Sequence, residues 1–155
     1  MRSRPNVALI VETSVVYGRQ ILHGISQYLR TQEGWSVFLD ERELLAPPPD
    51  WIRNWNGDGV ICRPTTPELA EALRRLDLSV VDLNDRYGDL GIPHIGSDMP
   101  AIGAMAANHL LERGFQNIAY CGFQNEVWSA DRLGRCVAPS ASTATIHSMH
   151  AKSTT

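Results

Sequence analysis

The sequence predicts an α/β fold: an open parallel sheet of about five strands with helices on both faces. Two observations lead to this prediction. Segments typical of strands and helices alternate between residues 6 and 122, and the strand segments are short and mostly apolar, as in strands buried on both faces. Because parallel strands need long crossover connections, this alternation implies right-handed crossovers, each carrying a helix.

The first strand and helix follow from their apolar patterns. Asn6–Val11 is a mostly apolar run of strand length. Apolar residues then recur at helical spacing from Ile21 to Leu29, and Gly34 is typical of a helix stop. The next apolar run, Trp35–Leu39, is predicted to be the second strand.

Turn and capping residues mark the next elements. Three prolines at 47–49 lead through Asp50, a candidate N-cap, into a short helix over residues 51–55. Val60–Cys62 is predicted to be the third strand. Thr66 then has the position of an N-cap, with a proline directly after it at the first helical position.

The last elements have clear boundaries. Leu78–Leu83 is predicted to be the fourth strand, and an irregular polar loop follows it. A helix is then expected to begin at Asp98 and to end at Gly114, which suits the C′ position of a helix terminus. Asn117–Cys121 is the predicted fifth strand.

Charge and length exclude several classes of partner. The chain has 155 residues and a formal net charge of −3, without the basic face that a phosphate backbone or a membrane surface attracts. The apolar run that begins at Val7 stops at Glu12, too early for a signal-peptide core or a membrane span. We therefore expect a cytoplasmic protein with no membrane partner.

The common motifs of catalysis and metal binding are missing. The three cysteines form no C-x-x-C pair, and the histidines lack H-E-x-x-H spacing, so a disulfide framework or a metal site is not expected. The first strand is not followed by a Gly-rich phosphate turn, and no G-x-S-x-G elbow occurs. The sequence therefore predicts no enzyme, no catalytic residue and no cofactor.

The loops after the strands instead carry groups that suit a small polyol. Ligands of open parallel sheets collect beyond the carboxyl ends of the strands. Hydroxyl, carboxylate and guanidinium groups can hold sugar hydroxyls there, and an aromatic ring can cover the C–H face of a sugar. The candidate effector-binding residues are Thr13, Ser14, Tyr17, Arg19, Asp98, Trp128 and Arg132.

Several candidates have a structural alternative. Asp98 is also a helix N-cap, and one carboxylate cannot fully serve both roles. Tyr17 also begins the apolar stripe of the first helix, and Trp128 could simply pack over the sheet edge. Arg132 could be a solvated residue at the start of an irregular tail.

The second half of the predicted lobe resembles the lactose/galactose repressor family. Ser97–Asp98 opening a helix, followed by His109–Leu110, Gly114 and Ile118–Ala119, is similar to that family's sequence pattern. Glu126–Arg132 looks like the family's segment after the next strand, whose arginine holds sugar hydroxyls. Met99 departs from the pattern, which usually has asparagine there. The resemblance therefore implies a ligand role for the carboxylate before it, Asp98, and none for residue 99.

The N-terminal part more closely resembles the xylose operon regulators. The resemblance is carried by Leu9–Val11, by Tyr17–Ile25 and by Trp55–Ile61, and the combined pattern covers roughly residues 6–132. These regulators join a sugar-sensing module of the periplasmic-binding type to a C-terminal helix-turn-helix domain of the arabinose-regulator type. Only Met1–Pro5 precede the first strand, which favours this order over that of the lactose-type repressors, whose DNA-binding headpiece comes first.

This resemblance implies an organisation of the chain. We expect the N-terminal lobe of a type I periplasmic-binding-protein fold at residues 6–122 and a hinge or crossover segment at 123–132. An irregular or disordered tail is expected at 133–155, because that segment is rich in Ala, Ser and Thr and lacks a sustained apolar period.

The expected function is effector sensing for a DNA-binding transcriptional regulator of sugar catabolism. The effector implied is a xylose-like pentose, bound weakly or not at all by this fragment, since the second lobe and the DNA-binding domain are expected to be missing from it. DNA would be contacted only through that missing domain, and a homodimer is a further expectation. The alternatives are a sugar-binding protein of a transporter, which would need a signal peptide, and an α/β enzyme acting on a small polar substrate.

Overall fold

The computed structural model describes residues 4–31, 34–137 and 145–151. In chain order the elements are β1 (Asn6–Val11), α1 (Val16–Thr31), β2 (Ser36–Glu41), a 3-10 helix (Asp50–Asn54), β3 (Gly59–Cys62), α2 (Pro67–Arg74), β4 (Ser79–Asp82), α3 (Met99–Leu111), β5 (Asn117–Phe123), α4 (Val127–Val137) and β6 (Thr145–Ala151). They belong to two compact units. Unit 1 holds the described residues up to Asn84 together with Asp89–Gly96, and unit 2 holds Asp85–Gly88 and the described residues from Ser97 onward.

Unit 1 contains a four-stranded parallel sheet in the order β2-β1-β3-β4. Strand β1 lies inside the sheet, paired with β2 on one side and with β3 on the other, where Ile10 is opposite Cys62. After β1 the chain thus adds β2 on one side of this strand and then returns to add β3 on its other side. This places the topological switch point between β1 and β3, where open α/β sheets form a ligand crevice at the carboxyl ends of the strands.

Both faces of this sheet are covered, as the apolar strands predict. Alternate residues of β1 point to opposite faces. Ala8 and Ile10 belong to one apolar cluster, and Val7, Leu9 and Val11 belong to the other. Residues of α2 and of the 3-10 helix pack in the first cluster, and residues of α1 pack against the second, so the predicted α/β fold is confirmed.

Unit 2 contains a second, smaller sheet. The predicted fifth strand is present as β5, but it pairs with β6 rather than with the four strands of unit 1. The pairing is parallel and runs from Asn117 opposite Thr145 to Phe123 opposite Ala151. Helices α3 and α4 belong to the same unit.

Helix α3 has both predicted end signals. The side chain of Asp98 accepts a hydrogen bond from the backbone N–H of Ala101, with an N–O distance of 2.8 Å. At the other end, Gly114 has a φ of +84°. Its N–H donates to the carbonyl of Leu111, and the next N–H donates to the carbonyl of Leu110, which is a Schellman motif.

Two other predicted caps have different outcomes. Thr66 caps α2, since its hydroxyl oxygen accepts from the N–H of Leu69 at 3.2 Å. The prediction for Asp50 is wrong: the 3-10 helix has Pro49 at its N-cap and no side-chain capping bond. Asp50 lies inside the first turn of that helix, one residue after the N-cap position. An N-cap side chain accepts from N–H groups two or three residues further on, and Asp50 is past the position that allows this.

The C-terminal segment differs from the expected irregular tail where the structure describes it. Residues 133–137 continue α4, and residues 145–151 form β6. Pairing with β5 over the whole length of β6 provides the backbone hydrogen bonds that this segment cannot supply alone. The rest of the tail, residues 138–144 and 152–155, lies outside the described residues.

The boundaries predicted for the lobe and for the hinge segment at 123–132 stay predictions. Within that segment, Phe123 ends β5 and α4 begins at Val127. In the part of the chain that the structure describes, no helix combines the length and apolar character needed to cross a membrane.

Candidate functional site

A buried ion pair lies at the switch point of unit 1. Glu12 follows β1 directly and Arg63 follows β3 directly, and Nη1 of Arg63 lies 2.7 Å from Oε2 of Glu12. The Glu12 side chain is only 1% exposed and that of Arg63 is 17% exposed. Because an isolated buried carboxylate is costly, the pairing accounts for the presence of this charge at the end of the strand.

Three of the predicted residues, Thr13, Tyr17 and Arg19, lie within seven residues of Glu12 in the chain and make contacts there. The guanidinium carbon of Arg63 lies 4.8 Å from the ring centroid of Tyr17, a cation–π geometry. Arg19 donates through Nη1 to the carbonyl of Thr13 at 2.6 Å. The hydroxyl of Thr13 in turn donates to the carboxylate of Glu41 at 2.6 Å. We call Glu12, Thr13, Tyr17, Arg19 and Arg63 the switch-point cluster.

A glycine allows this cluster to form. Gly18 is buried near the start of α1, and a Cβ at this position would overlap the carbonyl oxygen of Glu12. Only glycine lets the helix pass so close to the end of β1. Ser14 is exposed in the connection between β1 and α1, next to Thr13 in the sequence.

A buried polar network supports the loops after β3 and β4. Thr65 donates through its hydroxyl to Oδ1 of Asp82 at 2.5 Å. Asn84 donates through Nδ2 to the carbonyl of Thr65 at 2.7 Å and through its backbone N–H to Asp82 at 3.0 Å. These bonds connect the loop that carries Arg63 to the end of the neighbouring strand.

The thiol of Cys62 lies beside this network. Burial raises the pKa of Cys62 to about 12, the carboxylate of Asp82 also raises it, and hydrogen bonding with the Thr65 side chain partly offsets the rise. The thiol is therefore protonated at neutral pH. A buried, protonated thiol of this kind acts as a small hydrophobic residue rather than as a nucleophile.

A second group of side chains lies in unit 2. The guanidinium carbon of Arg132 is 5.2 Å from the ring centroid of Trp128, one turn earlier on α4. Its Nη2 lies 3.1 Å from the sulfur of Met99, and its Nε is buried without a hydrogen-bond partner. A thioether is a weak acceptor, so this guanidinium keeps hydrogen-bonding capacity for a ligand oxygen. We call Met99, Glu126, Trp128 and Arg132 the α4 cluster.

A cavity of about 370 Å³ opens next to the α4 cluster. Its volume falls within the range typical of small-molecule sites. The ring of Phe123, in its wall, lies 5.6 Å from the ring of Trp128. The residues that line the cavity are Phe123, Gln124, Asn125, Glu126, Val127 and Ala130.

The structure thus places the sequence-predicted residues in two groups, one in each unit. Thr13, Tyr17 and Arg19 come together at the switch point, with Ser14 next to them in the chain. Trp128 and Arg132 are in contact on α4, and Asp98 caps α3 directly before Met99. Among residues 4–31, 34–137 and 145–151, no three His, Cys, Asp or Glu side chains come together as they would to hold a metal ion.

Sequence reasoning missed three charged residues of these groups. Glu12 and Arg63 directly follow apolar strands, and this position was the signal that could have identified them. Glu126 and its partner Arg86 are far apart in the sequence, and no local pattern links them.

Comparison with known proteins points to one family. The family model described as the XylR N-terminal domain matches residues 6–106. The xylose operon regulatory protein of Haemophilus influenzae is 28% identical over 134 residues, which cover 81% of this chain and 34% of that protein. The chain therefore spans about a third of the length of this curated relative.

Solved structures share the fold. The structure of the xylose-binding transcription activator xylR has a TM-score of 0.73 at 21% identity, covering 96% of this chain and 39% of that chain. A periplasmic solute-binding protein of an ABC transporter from Actinobacillus succinogenes, with bound D-allose, has a TM-score of 0.73 at 16% identity, covering 95% of this chain and 59% of that chain. These likenesses confirm the expected periplasmic-binding-protein type I fold.

Proposed function

The chain belongs to the family of XylR N-terminal domains, and on this basis we propose that it is the effector-sensing part of a transcriptional regulator of sugar catabolism. The effector is a xylose-like pentose, and the regulator acts in the cytoplasm. The names of the relatives support this proposal, since one is a xylose operon regulatory protein and another a xylose-binding transcription activator. DNA is contacted through a different domain of the parent regulator, and a homodimer is the assembly that we expect of that regulator.

The observation that carries the proposal is the switch-point cluster. It lies at the carboxyl ends of β1 and β3, where open α/β sheets bind ligands. Arg19 and Arg63 can donate hydrogen bonds to sugar oxygens. Because Glu12 already neutralises Arg63, the cluster suits an uncharged polyol, and the ring of Tyr17 offers a face for sugar C–H groups.

The α4 cluster of unit 2 also carries groups that can bind a sugar. Arg132 has an unpartnered Nε and a weak thioether neighbour, so it is ready to donate to a hydroxyl oxygen. Trp128 presents an aromatic surface next to it. The carboxylate of Asp98 already uses one oxygen to cap α3, which favours the structural role for that residue.

Sensing would operate through a shift of populations. In a sensor with two lobes, a pentose that makes more contacts in the closed state than in the open state favours closure. The parent regulator would couple this closure to the geometry of its DNA-binding domains, with a coupling free energy equal in both directions.

The test is an NMR titration of the ¹⁵N-labelled 155-residue chain with D-xylose. We expect weak binding, with backbone amide shifts confined to the switch-point cluster and the α4 cluster. Arg19→Gln should weaken the response, because it removes a donor from the switch-point cluster.

The matched control is Arg30→Gln, which changes an exposed arginine in the last turn of the same helix and should leave the response intact. Amide shifts outside both clusters would refute the assignment of these residues, and equal responses of the two variants would refute the role of Arg19 in the switch-point cluster. A micromolar Kd by calorimetry would contradict the expectation that this fragment binds the sugar weakly.

A further inference from the structure

We propose that Glu126 is a positioning residue that orients Trp128 and, through it, the guanidinium of Arg132 toward the effector. The inference rests on the proposed function, because it deepens the role of the α4 cluster as an effector site. The sequence pattern assigns no role of its own to Glu126, and its contacts in the structure carry the inference.

The carboxylate of Glu126 is buried and has a separate donor for each oxygen. Its residue exposure is 8%, Oε1 lies 2.6 Å from Nη2 of Arg86, and Oε2 accepts from the indole N–H of Trp128 at 3.2 Å. The ion pair compensates the buried charge and holds the carboxylate in place. The second oxygen is thereby fixed as an acceptor for the indole.

The main chain around Glu126 is anchored independently of this carboxylate. Its carbonyl accepts from the N–H groups of Ser129 and Ala130, at 3.1 Å each, and so begins α4. The hydroxyl oxygen of Ser129 accepts from the N–H of Phe123 at 2.9 Å, which ties the end of β5 to the helix. Loss of the carboxylate should therefore leave the path of the chain intact.

The orientation of Trp128 determines where Arg132 lies. The indole is held by the N–H bond to Glu126 and by packing against Phe123, and it also contacts the guanidinium of Arg132. The hydrogen bond restricts rotation of the indole, which would otherwise remove the cation–π contact. Arg132 has no other strong acceptor among its observed contacts, since Met99 offers only sulfur.

The experiment uses the indole N–H signals of the ¹⁵N-labelled full chain, in which Trp35, Trp51, Trp55 and Trp128 are the four tryptophans. Glu126→Ala should move the Trp128 indole signal and leave the other three in place. It should also weaken the response of the Arg132 Nε–H signal to D-xylose about fivefold, the effect of losing one ordinary hydrogen bond.

Two further variants separate positioning from general stability. Glu126→Gln keeps an acceptor oxygen for the indole, so it should restore most of the Trp128 signal position and of the D-xylose response. Glu112→Ala removes an exposed carboxylate of unit 2 and should change neither readout.

The outcomes distinguish this inference from the proposed function. A wild-type chain with no D-xylose response at Arg132 would overturn the proposed effector role and this inference with it. A wild-type response that persists unchanged in Glu126→Ala, with the Trp128 indole signal unmoved, would overturn the positioning role alone. Failure of Glu126→Gln to restore either readout would also overturn it, even if Glu126→Ala does not fold.

Discussion

Cys62 and Cys121 have opposite environments. Cys62 is buried with a pKa near 12, and Cys121 is exposed on β5. At pH 8 we expect iodoacetamide to modify Cys121 and to leave Cys62 unmodified while the chain is folded, because the thiolate is the reactive form. Peptide mass spectrometry of a Cys136→Ser variant would measure both sites, and equal native-state labelling would contradict the assignment.

The same thiol makes stability depend on pH in the alkaline range. The pKa of Cys62 is 9.0 in an ordinary environment and about 12 in the fold, so the unfolded state loses this proton first. Its contribution to the free energy of unfolding is therefore complete below pH 9 and is lost as the pH rises toward 12.

At the residue scale, the sequence identified side chains that could contact an effector, but not the residues that these side chains contact in the fold. Thr13, Tyr17 and Arg19 follow the first strand, and this position together with their side-chain chemistry makes them candidates. The pairing of Arg63 with Glu12 was not predicted, because it depends on the register of β1 and β3, in which Ile10 is opposite Cys62. Register is a tertiary property that a single sequence specifies only through the whole buried face.

At the scale of elements, α1 contains two glycines in contrasting places. A Cβ at Gly18 would overlap the carbonyl oxygen of Glu12, whereas a Cβ at Gly24 would meet nothing within 4 Å. Gly18→Ala should therefore lower the free energy of unfolding by about 1–3 kcal/mol, as overpacking does. Urea denaturation followed by circular dichroism would measure the change.

The control in the same helix is Gly24→Ala. It should raise the free energy of unfolding by up to about 1 kcal/mol, because alanine favours the helix interior over glycine. A Gly18→Ala variant as stable as wild type would show that α1 does not need its close contact with the end of β1.

The elements that were predicted well have local signals. The bounds of β1 match its apolar run, and both ends of α3 are marked by Asp98 and Gly114. The start of α1 at Val16 precedes the apolar stripe that predicted the helix, because its first turn is largely exposed. Strand β6 was not predicted, because only its pairing with β5 makes a strand of that segment.

At the scale of the whole molecule, apolar burial is uneven between the units. Both apolar clusters of large buried side chains belong to unit 1. Among residues 85–88, 97–134, 148 and 149 of unit 2, the buried residues are small or polar: Gly103, Ala107, Gly122, Glu126 and Ser129. Since apolar burial dominates stability, unit 1 should be the more stable of the two.

Native-state hydrogen exchange would measure this difference. We expect the slowest backbone amides in β1 and β3, and faster exchange in α3 and β5, because local opening of unit 2 exposes less apolar surface. The comparison is internal to one sample and needs no variant. Amides of α3 as protected as those of β1 would contradict the prediction.

The strand order β2-β1-β3-β4 also has a consequence for biosynthesis. Strand β1 is made first, yet its second neighbour is complete only at Cys62, roughly 50 residues later, which corresponds to several seconds of translation. During that interval Val7–Val11 is an apolar segment without its final partners. No other strand of this sheet is synthesised so long before its last neighbour. We therefore expect Val7–Val11 to be the part of the nascent chain that depends most on chaperones at the ribosome.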